Sequence, residues 1–92
     1  MTLLNSAAAT EQLTHLPDWH LEGDNIVRQF VFADFVAAMA FVNRVAREAE
    51  AAGHHPDIDI RWNKVRLALS SHDAGGLTQA DFTLATTIDS VV

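Results

Sequence analysis

Hydrophobic and polar positions alternate in two stretches of the chain, and each alternation predicts a β-hairpin. The first stretch spans residues 19–32, where Gly23-Asp24 can form the two-residue turn because glycine readily adopts a positive φ. This turn sets Leu21 opposite Ile26 on one face of the predicted hairpin.

In the second stretch the parity of the apolar positions changes, and a single continuous strand would put the two groups on opposite faces. A tight turn at residues 62–63 resolves the conflict, because it pairs Ile60 with Val65 on one face. The same turn places Asp59 opposite Arg66 on the other face. Hydrophobic pairing and charge pairing therefore agree on a second hairpin.

Spacings of three and four residues predict helices before, between and after these hairpins. Thr10 is the expected N-cap of a short first helix that ends before Pro17. Asp34 is expected to cap the longest helix, and Gly53 lies where a left-handed C-terminal residue belongs. The apolar stripe of this longest helix is predicted to be Phe35, Met39, Val42, Ala46 and Ala49.

The last helix begins with a capping-box pattern, in which Thr78 is the N-cap and Asp81 is the third helical residue. The predicted order is therefore helix, hairpin, long helix, hairpin, helix. This order favours an α+β two-layer fold, with a four-stranded antiparallel sheet built from two hairpins and helices packed on one face. We expect a single domain over residues 1–92.

Composition then narrows the classes of function. Six basic against twelve acidic residues give a net charge of −6, which argues against direct nucleic-acid binding and against attraction to anionic membranes. No apolar run approaches the roughly 20 residues that a membrane span needs. The chain has no cysteine, which excludes disulfides and thiolate metal sites and is compatible with a cytoplasmic location.

Three of the five histidines are predicted to lie close together. His54 and His55 directly follow the long helix, whose C-terminal carbonyls and dipole favour an imidazolium. In a hairpin that turns at residues 62–63, His72 on the return strand lies near position 53 or 54 on the outgoing side. The predicted register therefore brings His72 toward the other two histidines.

Such a cluster has three interpretations. Histidines can bind a metal, transfer protons near neutral pH, or serve only as a helix end and a polar loop. A metal is disfavoured because adjacent histidine side chains rarely converge on one ion, and no i, i+4 histidine pair or Glu-rich helix supplies further ligands. Proton transfer and a purely structural role both stay open on this reasoning.

The spacing of these residues resembles the signature of the pterin-4a-carbinolamine dehydratase family. The similar positions are Glu50, His54, His55, Pro56, Trp62, His72 and Asp81, with further matching segments at Asp34-Phe35, Asn63-Lys64-Val65 and Gly76-Leu77-Thr78. The resemblance runs from about residue 10 onward, and several separated elements match at fixed spacing. It implies an antiparallel sheet backed by helices, a homodimer or homotetramer, and no cofactor or metal.

The resemblance also implies an activity, the dehydration of 4a-hydroxytetrahydropterin to the quinonoid dihydropterin, which recycles the cofactor of aromatic amino-acid hydroxylases. It assigns the acid and base roles to His54 and His72, in an order that stays open, and pterin binding to His55. The alternative is a non-catalytic pterin- or partner-binding protein on the same fold, since animal members of the family also act as dimerisation cofactors.

Four further motif positions carry weaker expectations. Glu50 either orients a histidine or is a solvated helix residue, and Asp81 is expected to act mainly through the capping box, which is compatible with a catalytic role. Trp62 either stacks near the pterin or packs at the hairpin turn, and packing is the favoured interpretation. Pro56 is expected to shape the loop that follows His55.

Overall fold

The computed structural model describes residues 2–92, and its elements follow the predicted order. The helices are α1 (Ser6–Leu13), α2 (Phe35–Ala52) and α3 (Gln79–Asp89), and a 3₁₀ turn spans His72–Ala74. The strands are β1 (His20–Glu22), β2 (Asn25–Val31), β3 (Asp57–Arg61) and β4 (Lys64–Leu69). They form one open antiparallel sheet with the order β1-β2-β4-β3. The predicted α+β fold is confirmed.

Both hairpins have the predicted register. Leu21 lies opposite Ile26 in the first hairpin, and Ile60 lies opposite Val65 in the second, which turns at residues 62–63. The two hairpins join through antiparallel pairing of β2 with β4. Strands β1 and β3 are therefore the two edges of the sheet.

The core lies between one face of the sheet and the helices. Phe30 of β2 packs against Phe41 of α2, with ring centroids 4.6 Å apart. The largest fully buried apolar side chains of this core are Ile26, Phe41, Val45, Val65, Leu67, Leu69, Phe82 and Ile88. The opposite sheet face carries charged side chains such as Arg66, which binds Glu22 across the sheet. The two faces of the sheet therefore differ as in a two-layer fold.

The first helix begins earlier than predicted. Its N-cap is Asn5, whose side-chain oxygen accepts a hydrogen bond from the Ala8 N–H at 2.8 Å, so the prediction that Thr10 caps the helix is wrong. Thr10 lies inside α1 instead. The physical reason is that Asn5 satisfies an N-terminal amide, and the run of alanines after it favours helix strongly enough to start the helix there.

The buried face of α2 is rotated from the predicted stripe. Phe35 is half exposed and Ala46 is exposed, whereas the buried residues of α2 are Ala38, Phe41, Val42, Val45 and Ala49. Both stripes follow steps of three and four residues, and they share two positions. Because the first two turns of α2 are apolar around most of their circumference, the spacing alone could not choose between the two faces.

Within residues 2–92, no helix is both long enough and apolar enough to cross a membrane. Helix α2, with 18 residues, is the longest of the helices, and it carries charged residues in its second half.

Candidate active site

The C-terminus of α2 fixes the position of His54. Gly53 adopts a left-handed conformation with φ of 63°, which a residue with a side chain rarely adopts. The Gly53 N–H donates to the Glu50 carbonyl at 3.2 Å, and the His54 N–H donates to the Ala49 carbonyl at 3.1 Å. These two bonds close the last turn as predicted from the glycine, so His54 leaves the helix in one defined direction.

The loop after β4 places His72. Strand β4 ends at Leu69, and His72 begins the 3₁₀ turn instead of ending the return strand, which corrects the predicted strand end. The loop closes because the Ser71 N–H donates to the Gly76 carbonyl at 2.9 Å, while the Ser71 carbonyl accepts the Ala74 N–H at 3.0 Å. His72 therefore projects from a short, internally bonded loop.

These two segments line an open cleft of about 230 Å³. The residues that line it are Gly53, His54, His55, Ser70, Ser71, His72 and Asp73. The predicted approach of the three histidines is thus confirmed as a matter of geometry. His55 and His72 are exposed, whereas only 12% of the His54 side chain is accessible.

A buried carboxylate holds His54. The His54 Nε2 lies 2.6 Å from Oδ1 of Asp81, whose side chain is fully buried. The other carboxylate oxygen, Oδ2, accepts the Ser71 hydroxyl and the Thr78 N–H, each at 2.9 Å. Because the Ser71 hydroxyl donates to Asp81, the Thr78 hydroxyl, 2.8 Å away, donates to Ser71. Asp81 thus joins the start of α3 to the histidine at the end of α2.

This contact also sets the protonation pattern of the ring. Where the Asp81 carboxylate is ionised it is only an acceptor, and the proton between the two side chains then lies on Nε2 of His54. The hydrogen bond made by one ring nitrogen determines the role of the other, and Nδ1 is therefore the nitrogen left for a ligand. A fixed ring with one free nitrogen is suited to accept or deliver a proton.

The predicted role of Asp81 in the capping box is confirmed, since Thr78 and Asp81 form that motif at the start of α3. Sequence reasoning did not predict the contact between Asp81 and His54. Glu50, expected either to orient a histidine or to be a solvated helix residue, lies 2.8 Å from Nε2 of His55, and both side chains are mostly exposed. An exposed pair of this kind contributes little binding energy, so His55 is less constrained than His54.

Trp62 and Pro56 lie outside the cleft lining. Trp62 is 67% exposed at the tip of the second hairpin, so the favoured prediction that it packs at this turn is wrong. Its φ of 54° is uncommon for a bulky residue. The five residues of β3 separate it from the cleft by about 17 Å, at 3.4 Å a residue. Pro56 lies between His55 and the first residue of β3, in the loop it was expected to shape.

The cleft has no complete set of metal ligands within the described part of the chain. No three His, Asp or Glu side chains among residues 2–92 converge on a position where they could hold an ion. What converges here is a set of proton donors and acceptors, namely three imidazoles and one buried carboxylate. The fold and the cleft together define a small α+β protein with a cleft lined by three histidines.

The chain belongs to the pterin 4 alpha carbinolamine dehydratase family, whose model matches residues 2–91. A relative from Chloroflexus aurantiacus, provisionally named as a pterin-4-alpha-carbinolamine dehydratase, is 61% identical over 92 residues, covering 100% of this chain and 99% of its own. A relative from Acidobacterium capsulatum with the same provisional name is 59% identical over 92 residues and is covered completely, as is this chain.

Two solved structures share the fold. The crystal structure of a transcriptional coactivator/pterin dehydratase from Brucella melitensis superposes with a TM-score of 0.93 at 30% identity, covering 98% of each chain. A pterin dehydratase-like protein described as a RuBisCO assembly factor in the alpha-carboxysome has a TM-score of 0.65 at 22% identity, covering 79% of this chain and 84% of its own. The second likeness concerns the fold alone.

Proposed function

We propose that this protein is a hydro-lyase that dehydrates 4a-hydroxytetrahydropterin to the quinonoid dihydropterin, and so recycles tetrahydropterin in the cytoplasm. The observation that carries the proposal is that His54 and His72, from two separate segments, line one cleft, and that His54 is fixed by the buried Asp81. Membership of the dehydratase family supports the choice of substrate.

In the proposed reaction, the bond between carbon 4a and its hydroxyl oxygen breaks, and the oxygen leaves as water after it receives a proton. The neighbouring ring nitrogen loses its proton, and its electron pair forms the new double bond to carbon 4a. One of His54 and His72 supplies the first proton and the other accepts the second. Exchange with solvent returns both to their starting states, so no oxidant, reductant or cofactor is consumed.

His55 is assigned to pterin binding and orientation. It lies next to His54 on the same wall of the cleft and is held only by the exposed Glu50.

The test is the dehydration rate of freshly generated 4a-hydroxytetrahydropterin in the presence of a chelator. We expect turnover well above the uncatalysed background, and a loss of about 10²-fold or more in both His54→Ala and His72→Ala. His20→Ala is the matched control, since His20 is an exposed histidine on β1 outside the cleft lining, and it should keep the wild-type rate. A wild-type rate equal to background contradicts the proposal.

The alternative function is non-catalytic binding of a pterin or a partner protein. An observation that favours it is the group of exposed large apolar residues around the start of α2, which are Val31, Phe35, Val36 and Trp62. If Phe35→Asp abolished the biological activity while His54→Ala kept it, partner binding would be the function.

The same apolar residues support a proposal that the chain forms a homodimer or homotetramer. Exposed apolar side chains near an edge strand are favourable to cover with a second copy, and β3 is such an edge. Light scattering at micromolar concentration should give a multiple of the 10.1 kDa chain mass, and Val36→Asp should lower it. A wild-type mass of one chain would exclude the oligomer.

A further inference from the structure

The N-terminal segment, residues 2–5, lies beside the loop that carries His72 although it belongs to no helix or strand. The Leu4 N–H donates to the Leu77 carbonyl at 2.8 Å, and the Leu4 side chain packs against the core. Asn5 then caps α1. The segment is therefore held in place by a backbone bond, by core packing and by the helix that follows it.

Leu3 makes a second contact with the same loop. A Cβ atom added to Gly76 would lie 2.9 Å from Cδ1 of Leu3, so the leucine side chain lies directly on the glycine backbone. Gly76 is buried, whereas the Leu3 side chain is half exposed. The absence of a side chain at position 76 is what allows this close approach.

Both contacts fall on residues that neighbour the site. Gly76 exchanges two backbone hydrogen bonds with Ser71, at 2.9 and 3.3 Å, and the Ser71 hydroxyl donates to Asp81. Leu77 directly precedes Thr78, whose N–H is another donor to Asp81. The N-terminal segment therefore supports the two residues that hold the carboxylate to which His54 is bound.

His72 depends on the same loop. The His72 side chain is exposed, and its backbone belongs to the 71–76 loop, so the position of its Cα depends on the bonds that close this loop. A displacement of about 1 Å in a catalytic group can lower a rate by about 10²-fold. A segment that holds this loop from outside therefore affects the chemistry without touching the substrate.

We propose that residues 2–5 are a positioning segment, which keeps His72 and the Ser71–Asp81–His54 bonds in register for proton transfer. The inference rests on the proposed dehydratase function. It assigns a role in the proposed chemistry to Leu3 and Leu4, neither of which lines the cleft.

The test compares a double variant, which carries both Leu3→Ala and Leu4→Ala, with the single variant Leu13→Ala. Leu13 is a matched control, because it is a partly buried leucine on the same core at the other end of α1. We expect the double variant to lower kcat about tenfold with KM changed less than about threefold, whereas the control keeps its kcat. A kcat equal to that of the control would overturn the inference.

Amide hydrogen exchange provides a readout that does not depend on activity. In the double variant the Ser71 and Gly76 amides should exchange at least about tenfold faster than in Leu13→Ala, because their mutual bonds lose outside support. If wild type has no dehydratase activity, the proposed function fails, and exchange still decides whether the segment holds the loop. Unchanged exchange overturns the positioning role in either case.

Gly76→Ala tests the direct contact. Its Cβ should displace Leu3 and lower kcat about threefold in the wild-type background, but it should have no effect when Leu3→Ala is already present. An equal fall in kcat in both backgrounds would show that Gly76→Ala does not act through its contact with Leu3, and would contradict the inference.

Discussion

Two carboxylates at opposite ends of α3 hold other elements to this helix, and they differ in what their partners can do. Asp89, in the last turn, accepts the Arg28 guanidinium at 2.7 Å and the Trp19 indole N–H at 2.9 Å. Asp81, in the first turn, accepts two neutral donors on one oxygen and a histidine on the other.

The partners explain the difference. An arginine stays charged at all physiological pH values, and an indole N–H donates a hydrogen bond without releasing its proton. The cluster at Asp89 therefore has no group that transfers a proton at physiological pH. Arg28 also lies over the Phe30 ring, 4.3 Å from its centroid, which fixes the cluster to the core. The histidine at Asp81 has a second nitrogen beside an open cleft. The same kind of carboxylate therefore supports structure at one end of α3 and proposed chemistry at the other.

The largest effect should come from Asp81→Asn. The amide oxygen can still accept the Ser71 hydroxyl and the Thr78 N–H, but the amide nitrogen then presents a donor to His54 where the carboxylate had an acceptor, so His54 loses its fixed tautomer. We expect kcat to fall by about 10²-fold or more. Dehydratase assays beside a thermal melt would test this, and a fall in stability with an unchanged kcat would remove the proposed distinction between the two ends.

Asp89→Ala should lower the stability of the fold, in contrast to Asp81→Asn, which should mainly lower kcat. It leaves Arg28, which is only 20% exposed, without its nearest anion, and we expect a loss of about 1–3 kcal/mol in the free energy of unfolding. Urea denaturation measures this loss. Asp18→Ala is the matched control, because Asp18 lies 3.6 Å from Arg28 but is mostly exposed, and it should cost less than about 1 kcal/mol. Neither variant should change kcat.

Ser71→Ala should have an intermediate effect. It removes one donor from Asp81 but leaves the Thr78 N–H and His54 in place. We expect kcat to fall about tenfold, since a single hydrogen bond to a charged group is worth about 1.5–3 kcal/mol and only part of it acts on His54. Kinetics of Ser71→Ala and Ser70→Ala, both lining the cleft, would show whether the bond to Asp81 is the cause.

The smallest effect should come from Glu50→Gln. Glu50 and His55 are both mostly exposed, and pairs of this kind contribute about 0–1 kcal/mol. We expect kcat unchanged and KM raised by less than about threefold. A loss comparable to that of Asp81→Asn would mean that exposure is a poor guide to the importance of a carboxylate partner in this site.

Several features could be predicted because they depend on neighbours in sequence. The turn at residues 62–63 followed from the change of apolar parity, and the capping box of Thr78 and Asp81 followed from a spacing of three residues. The register of the second hairpin brought the chain that follows β4 toward His54, although His72 itself lies in the 3₁₀ turn after the strand. Two of the mispredicted features, the cap of α1 and the buried face of α2, are ones where two local patterns were both acceptable.

By itself, the sequence determined the element order, the register within each of the two hairpins, the C-terminal end of α2, the N-terminal end of α3, and the family. Only the tertiary structure decided that Asp81, 27 residues from His54, is its partner, that Glu50 faces His55, and that Trp62 is exposed. The physical reason is the separation along the chain of the residues that interact. Turns, caps and alternation are set by backbone bonds within a few residues, whereas the pairing of His54 with Asp81 depends on how α3 packs against α2.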